Sequence, residues 1–193
     1  MSHLKPRILV VSTSLAPQSR SRTMARAALT VLARTGAIEH RWIDLAEHDL
    51  QPFPLSRQTP IAIWIREEFE SADGFILACP VYNWSAGASL PNFLHYVLDS
   101  RTQRRYRPFV VMGGAGSPRS ALALDGVARS MLYEIRGIQI GPTVIGAGAD
   151  VDAETGLVAP ALSDLMREVT EILIQHAAIA TGRVEAQDVG LGA

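Results

Sequence analysis

The chain has 193 residues, of which 48% are hydrophobic and 19% charged, and its formal net charge is -1. This composition is typical of one globular domain and excludes disordered, collagen-like and coiled-coil chains. The single cysteine, Cys79, can form neither an intrachain disulfide nor a cysteine-built zinc site. The apolar runs are shorter than the roughly 20 residues that cross a bilayer. We therefore expect a cytoplasmic protein with no membrane partner and no metal site.

The basic residues are concentrated near the N-terminus. Six of the 18 Lys and Arg residues, and none of the 19 Asp and Glu residues, precede Glu39. The rest of the chain is acidic and would repel nucleic acid at long range, so we expect a small anionic ligand near the N-terminus instead. A transit peptide has a similar composition, but the strand predicted at Ile8 to Val11 argues against a cleaved segment.

Short apolar runs alternate with segments of helical periodicity, as in βαβ units. The predicted strands are Ile8 to Val11, Glu39 to Asp44, Phe75 to Ala78, Phe109 to Met112 and Gln139 to Ile145. The predicted helices are Arg22 to Ala33, Pro60 to about Ala72, Ser89 to about Leu98, Ala121 to Ile135 and Pro160 to about Ala180. The predicted caps are Thr59 and Ser89 at helix starts, and Gly36 and Gly137 at helix ends.

This pattern predicts an α/β fold with a doubly wound, five-stranded parallel sheet and helices on both faces. No linker or internal repeat divides the chain, so we expect a single domain over residues 1–182 and a flexible tail over residues 183–193. Ligands of such sheets bind beyond the carboxyl ends of the strands.

The loop after the first strand, residues 12–22, has the composition of a phosphate site. It carries five Ser or Thr hydroxyls and opens onto a helix N-terminus, and Arg20 and Arg22 add charge-assisted donors. It lacks both the P-loop motif G-x-x-x-x-G-K-[ST] and the dinucleotide motif G-x-G-x-x-G, which favours a terminal monophosphate over a nucleoside triphosphate or a pyrophosphate. The alternative is a serine-rich turn with an ordinary helix cap.

Two further loops are suited to a flat ring. Residues 79–87 combine a proline with Tyr82, Asn83 and Trp84, which offer stacking faces and fixed hydrogen-bonding groups to a planar heteroaromatic ligand. Residues 113–118 are glycine-rich, so their backbone N–H groups could approach a ligand closely.

Three segments carry a resemblance to a known family. Ser12-Thr13-Ser14-Leu15 followed by Ser19, Ile43-Asp44-Leu45, and Pro80-Val81-Tyr82-Asn83 resemble the NAD(P)H-dependent FMN reductases among flavodoxin-like proteins, over about Arg7 to Ile145. The resemblance implies a sheet of order 2-1-3-4-5, bound FMN, NAD(P)H as hydride donor, a small-molecule electron acceptor and a homodimer or homotetramer. The acceptor classes are free flavin, a quinone, an azo or nitro compound, and a metal species.

The same resemblance implies the roles of individual residues. The phosphate of FMN would be bound by Ser12, Ser14, Ser19 and Ser21. Its ring would be bordered by Pro80, Val81, Tyr82, Asn83, Trp84, Gly113, Gly114, Ala115 and Gly116. No catalytic acid, base or nucleophile is implied, because the flavin carries the chemistry.

The sequence also departs from the family pattern. Ala16 stands where the family usually has an arginine, and Ser21 where an asparagine is common, so Arg20 or Arg22 would have to supply the charge. Trp84 is larger than the residue common at its position, and we expect it either to stack on flavin or substrate or to anchor an oligomer interface. Two other functions stay open, namely a flavin-binding electron carrier or redox sensor without NAD(P)H turnover, and a nucleotide-binding module without flavin.

Overall fold

The computed structural model of the chain describes residues 5–98, 106–124, 126–127, 130 and 136–181. Within these residues, the strands are β1 (Arg7–Ser12), β2 (Glu39–Asp44), β3 (Gly74–Tyr82), β4 (Ser85–Ala86), β5 (Arg107–Ala115), β6 (Gly137–Gln139) and β7 (Val144–Ala147). The named helices are α1 (Arg20–Thr35), α2 (Pro60–Ser71), α3 (Ser89–Leu98) and α4 (Pro160–Ala180). Three short 3-10 turns span Leu45–Glu47, Pro118–Ser120 and Gly148–Asp150. The predicted tail, residues 183–193, lies outside the described residues.

The strands form one mostly parallel sheet, which confirms the α/β class. Its main path runs β2-β1-β3-β5-β6, while β7 also pairs in parallel with β5 and β4 pairs antiparallel with β3. The sheet therefore has seven strands in the described residues, with a main path of 2-1-3-5-6, where the sequence predicted five strands in the order 2-1-3-4-5. Two local features explain the difference, one at the end of β3 and one after β6.

The predicted fifth strand, Gln139 to Ile145, is two strands. β6 ends at Gln139, Gly141 has a φ of 71°, and β7 begins at Val144. A positive φ interrupts extended backbone, and Pro142 has no N–H to donate to a ladder. At the end of β3, the predicted loop contains a two-residue hairpin turn and the short strand β4.

Helices cover both faces of the sheet, as predicted. Residues of α2 and α3 such as Phe69 and Phe93 pack with Val11 on one face. Residues of α1 and α4 such as Met24 and Met166 pack on the other. Because β1, β3 and β5 are buried on both faces, their sequences are continuously apolar rather than alternating.

Local capping accounts for several helix ends. The Thr59 hydroxyl accepts a hydrogen bond from the Ala62 nitrogen at 3.4 Å at the start of α2, and Gly36 ends α1 with a φ of 60°. Ser89, predicted as a cap, is instead the first residue of α3 and donates its hydroxyl to the Thr13 carbonyl oxygen.

The helix predicted at Ala121 to Ile135 is described only in part. Residues 121–124, 126–127 and 130 are helical, and its other residues lie outside the described ranges. Gly137, predicted to end this helix, is instead the first residue of β6, and the positive φ of 52° belongs to Arg136.

Candidate functional site

The three predicted loops meet at one edge of the sheet. β1, β3 and β5 are adjacent and parallel, with Ser12 opposite Ala78 and Pro80 opposite Gly114. Their carboxyl ends therefore bring together the serine loop, the hairpin and the glycine-rich segment. This edge is where doubly wound sheets bind ligands.

The serine loop is held by its neighbours. Thr13 and Ser14 are buried, and the Thr13 nitrogen donates to the Ala78 carbonyl oxygen at 2.9 Å. The Ser14 hydroxyl accepts from the Ala16 nitrogen at 3.4 Å, which closes a local turn. The Ser89 hydroxyl of α3 donates a hydrogen bond to the Thr13 carbonyl oxygen. The loop is thus supported by β3 and α3 as well as by its own turn.

Three polar residues open α1. Ser19 is its N-cap and accepts a hydrogen bond from the Arg22 nitrogen at 3.2 Å, while the hydroxyls of Ser19 and Ser21 lie 3.0 Å apart. Arg20 is exposed and donates its Nε to the Val151 carbonyl oxygen at 3.3 Å. The first turn of α1 contains no acidic residue, so it presents partial positive charge to an anion.

Arg22 interacts with the loop and not with open solvent. Its guanidinium binds the carboxylate of Asp44, with Nε and Oδ2 2.5 Å apart, and donates to the carbonyl oxygens of Ser14, Ala16 and Pro17. The sequence suggested that Arg20 or Arg22 supplies charge to the phosphate. In the structure, Arg22 instead forms a buried ion pair with Asp44. Sequence reasoning missed Asp44 as a site residue, although it lies in the Ile43-Asp44-Leu45 segment that carried part of the resemblance.

The second loop is a tight hairpin that the sequence did not predict. Tyr82 at the end of β3 pairs with Ser85 of β4, and the turn residues Asn83 and Trp84 have φ values of 50° and 61°. A two-residue turn with both φ values positive has the signature of type I′, in which Asn-Gly is favoured and tryptophan is rare. The Gly87 nitrogen donates to the Pro80 carbonyl oxygen at 2.9 Å behind the turn.

The hairpin presents two aromatic rings at the ligand-binding edge. The side chains of Tyr82 and Trp84 are 54% and 63% exposed, whereas Pro80 is buried and Val81 is partly buried. Because both rings are exposed and aromatic faces stack on planar groups, this pair is available to a planar ligand.

The glycine-rich segment belongs largely to the sheet. Gly113, Gly114 and Ala115 are buried at the end of β5, and only Gly116 begins the exposed connection. A Cβ atom on Gly114 would lie 2.5 Å from the Ser21 nitrogen, and one on Gly113 would lie 2.6 Å from side-chain atoms of Ile145 and Leu124. These two glycines therefore permit close packing, and Gly114 brings the strand end against the first turn of α1.

A phosphate monoester suits the groups at the start of α1. The hydroxyl oxygen of Ser12 is buried and has no hydrogen-bond partner among the residues that the structure describes. Ser12 shares a face of the sheet with Val10, the face that α1 covers, because side chains two apart on a strand point the same way. A buried hydroxyl without a partner is costly, and a bound anion would satisfy it.

Cys79 is not a redox group in this arrangement. It is buried at the β3 end, and burial raises the pKa of its thiol to about 12. The thiolate is the reactive form, so Cys79 is a small core residue. Nowhere in the described ranges do three or more His, Cys, Asp or Glu side chains form a group that could hold a metal ion.

A surface groove lies beside this edge. It has a volume of about 830 Å³, follows the outer face of α1 from Arg22 to Arg34, and is bordered by Pro17, Glu47 and Glu154. Neither the hairpin nor the end of β5 lines it. The chemistry of the strand ends, and not the size of this groove, therefore locates the candidate site.

Comparison with known proteins decides the family. Residues 6–151 match the family model of the NADPH-dependent FMN reductases. The chain belongs to this family. It is therefore a flavin oxidoreductase, and the family implies FMN and NAD(P)H as its cofactors, in agreement with the resemblance seen in the sequence. A search among curated proteins finds no sequence match.

Solved structures share the fold at low sequence identity. An NADH:FMN oxidoreductase in its apo form has 20% identity and a TM-score of 0.71, covering 88% of this chain and 89% of its own. An oxidoreductase from Corynebacterium diphtheriae has 22% identity and a TM-score of 0.70, with coverages of 92% and 99%. The NAD(P)H:acceptor oxidoreductase FerB from Paracoccus denitrificans has 15% identity and a TM-score of 0.73, with coverages of 91% and 98%.

The chain fits FMN better than a dinucleotide. FMN ends in the phosphate monoester that the unpartnered Ser12 hydroxyl and the acid-free start of α1 suit. Its ring system is planar, and the exposed Tyr82 and Trp84 lie at a neighbouring strand end. In the described residues, no helix is long and apolar enough to span a membrane.

Proposed function

We propose that this chain binds FMN at the carboxyl edge of its sheet, accepts reducing equivalents from NAD(P)H and transfers them to a small-molecule acceptor. The observation that carries the proposal is the meeting of a phosphate-suited loop and an exposed aromatic hairpin at adjacent strand ends. When bound, FMN supplies the hydride and electron chemistry, and the protein supplies binding, orientation and electrostatics.

The phosphate end of the site is assigned to four serines and one arginine. The N-terminus of α1 and its hydroxyls attract the anion, and Arg20, an exposed residue whose Nε donates to the Val151 carbonyl oxygen, is the first residue of that helix. The residues that we assign to this end are Ser12, Ser14, Ser19, Arg20 and Ser21.

The ring end of the site is assigned to the hairpin and the end of β5. Hydride transfer requires the nicotinamide to stack within about 3–3.5 Å of the flavin, so one ring face must stay open. The hairpin would border the ring through Tyr82 and Trp84 and leave that face accessible. The residues that we assign to this end are Pro80, Val81, Tyr82, Asn83, Trp84, Gly113, Gly114, Ala115 and Gly116.

For the electron acceptor, we propose a class of small molecules that oxidise reduced flavin. Free flavin, a quinone, an azo or nitro compound and an oxidised metal species all accept electrons from reduced flavin. We further propose that the enzyme acts in the cytoplasm and forms a homodimer or homotetramer. Size measurement in solution by light scattering tests the oligomeric state, and a monomer at micromolar concentration would contradict it.

An anaerobic experiment tests the function directly. Protein loaded with FMN and freed of excess flavin is mixed with NADPH or NADH, and the absorbance of oxidised flavin is followed. Rapid bleaching is expected, and the faster donor identifies the nicotinamide preference. Flavin that stays bound and oxidised would indicate an electron carrier or sensor, and absence of FMN binding at micromolar concentration would exclude both flavin functions.

A further inference from the structure

We propose that Arg22 is a positioning residue that makes the site select a phosphorylated flavin over riboflavin. Together with Asp44, it holds the carbonyl oxygens of the serine loop away from the phosphate. This inference rests on the proposed function, because it assumes that the loop binds the phosphate of FMN.

The contacts of the guanidinium account for its whole donor set. Nε donates to Asp44 Oδ2 at 2.5 Å, and Nη2 lies 3.3 Å from Asp44 Oδ1. Nη2 also donates to the Ser14 carbonyl oxygen at 2.7 Å, and Nη1 donates to those of Ala16 and Pro17 at 2.6 and 3.0 Å. An arginine has five N–H donors, and these contacts use all five. Only 8% of the Arg22 surface is exposed.

The direction of these carbonyl groups decides what the loop offers an anion. In a planar trans peptide the C=O and the following N–H point in opposite directions. The carbonyls of Ser14 and Pro17 point to the guanidinium, so the N–H groups of Leu15 and Gln18 point away from it. Proline has no N–H, so the carbonyl of Ala16 has no matching donor at residue 17.

A loop without this guanidinium would be a poor phosphate site. The carbonyl oxygens of Ser14, Ala16 and Pro17 would lose their shared donor and be free to turn toward the ligand and repel it. Because Asp44 neutralises the charge of Arg22, the pair contributes little net attraction to the phosphate. The Arg22–Asp44 pair therefore acts by orienting the carbonyl groups of the loop. FMN and riboflavin differ only in the phosphate, so this orientation should favour FMN over riboflavin.

Two substitutions distinguish this role from a direct contact between Arg22 and the phosphate. Asp44→Asn removes a negative charge near the ligand, so simple electrostatics predicts tighter FMN binding, whereas loss of the positioning contacts predicts weaker binding. Arg22→Lys keeps the charge, so a direct ion pair would largely survive. The compact ammonium cannot reach four acceptor residues, and the positioning role would be lost.

The experiment measures the dissociation constants of FMN and riboflavin by quenching of flavin fluorescence. We expect both variants to weaken FMN binding by about tenfold or more, on the scale of one charge-assisted hydrogen bond, with the riboflavin constant nearly unchanged. The control is Arg26→Lys, which alters an exposed arginine further along α1 and should change neither constant.

Several results would overturn the inference. These are tighter FMN binding by Asp44→Asn, unchanged FMN binding by Arg22→Lys, and equal weakening of FMN and riboflavin. If a single variant does not fold, the paired replacement Arg22→Met with Asp44→Leu removes both buried charges together, a change that proteins commonly tolerate. This pair must also lose the preference for FMN. Failure of the unmodified protein to bind either flavin would instead contradict the proposed function.

Discussion

Gly114 lies directly against the backbone of Ser21, where a Cβ atom would come within 2.5 Å of the Ser21 nitrogen and 2.9 Å of the Arg20 Cβ. Contacts this short do not occur between a real side chain and backbone. The end of β5 and the first turn of α1 can approach each other only because residue 114 is a glycine. The same approach sets the position of the serines that we assign to the phosphate.

Gly114→Ala should therefore displace the start of α1. We expect a loss of about 1–3 kcal/mol in the free energy of unfolding, the usual cost of overpacking, together with weaker FMN binding. Denaturant unfolding and FMN titration measure the two effects. Gly126→Ala is the matched control, because a Cβ at that exposed position meets nothing within 4 Å and the residue has no part in the proposed site. Equal behaviour of the two variants would contradict the importance of this contact.

The Ser12 hydroxyl should matter for FMN and not for the stability of the free protein. It is buried without a hydrogen-bond partner in the described part of the chain, so Ser12→Ala should leave the free energy of unfolding unchanged or raise it. If the hydroxyl binds phosphate, the same change weakens FMN binding and spares riboflavin. Unchanged FMN affinity would remove Ser12 from the phosphate site.

Trp84 occupies a backbone conformation that favours glycine. Its φ of 61° costs a non-glycine residue about 1–2 kcal/mol, part of which is offset by the greater unfolded-state freedom of glycine. We therefore expect Trp84→Gly to raise the free energy of unfolding by about 0.5–1 kcal/mol. Ser85→Gly, one residue later and without positive φ, should lower it instead. A loss of stability in both variants would indicate that the tryptophan ring makes stabilising contacts.

Tyr82 tests the ring end of the site. Its exposed side chain lies at the end of β3, and Tyr82→Ala should weaken riboflavin and FMN binding to a similar extent or slow flavin bleaching by NAD(P)H. Tyr106 is similarly exposed, at 65%, but lies just before the start of β5, at the other end of that strand. Tyr106→Ala should leave both measurements unchanged. If Tyr82→Ala also changes neither, the hairpin does not border the flavin.

The buried thiol of Cys79 predicts a pH dependence of stability. Its pKa rises from 9.0 to about 12 because burial disfavours the thiolate, so the unfolded chain loses this proton at lower pH than the folded one. The contribution of this thiol to the free energy of unfolding is thus fully present below pH 9. It falls between pH 9 and about 12, by up to about 1.4 kcal/mol per pH unit.

Unfolding measurements on the native protein and on Cys79→Ala across this pH range isolate that effect. The variant should lack this component of the alkaline slope. Thiol reagents should also label Cys79 slowly in the folded protein and rapidly in denaturant. Identical alkaline slopes for the two proteins would contradict a protonated, buried thiol.

The sequence by itself determined the local features of this protein. Continuous apolar runs such as Phe75 to Ala78 are found as buried strands, and Thr59 and Gly36 are found as caps, because both signals depend on residues close in the chain. Parallel strands covered on both faces put their loops at one edge, so the positions of the candidate loops were predictable as well.

Only the tertiary structure decided how those loops are built. The partner of Arg22 is Asp44, 22 residues away and on the strand beside β1, and Gly114 is needed only because α1 packs across the end of β5. The added strand β4 depends on its pairing with β3. The split of the predicted fifth strand, by contrast, follows from the neighbouring residues Gly141 and Pro142. Contacts such as Arg22–Asp44 and Gly114–Ser21 join residues that are far apart in the chain and meet only after packing. The local hydrophobic periodicity of a sequence does not indicate which distant residues will meet.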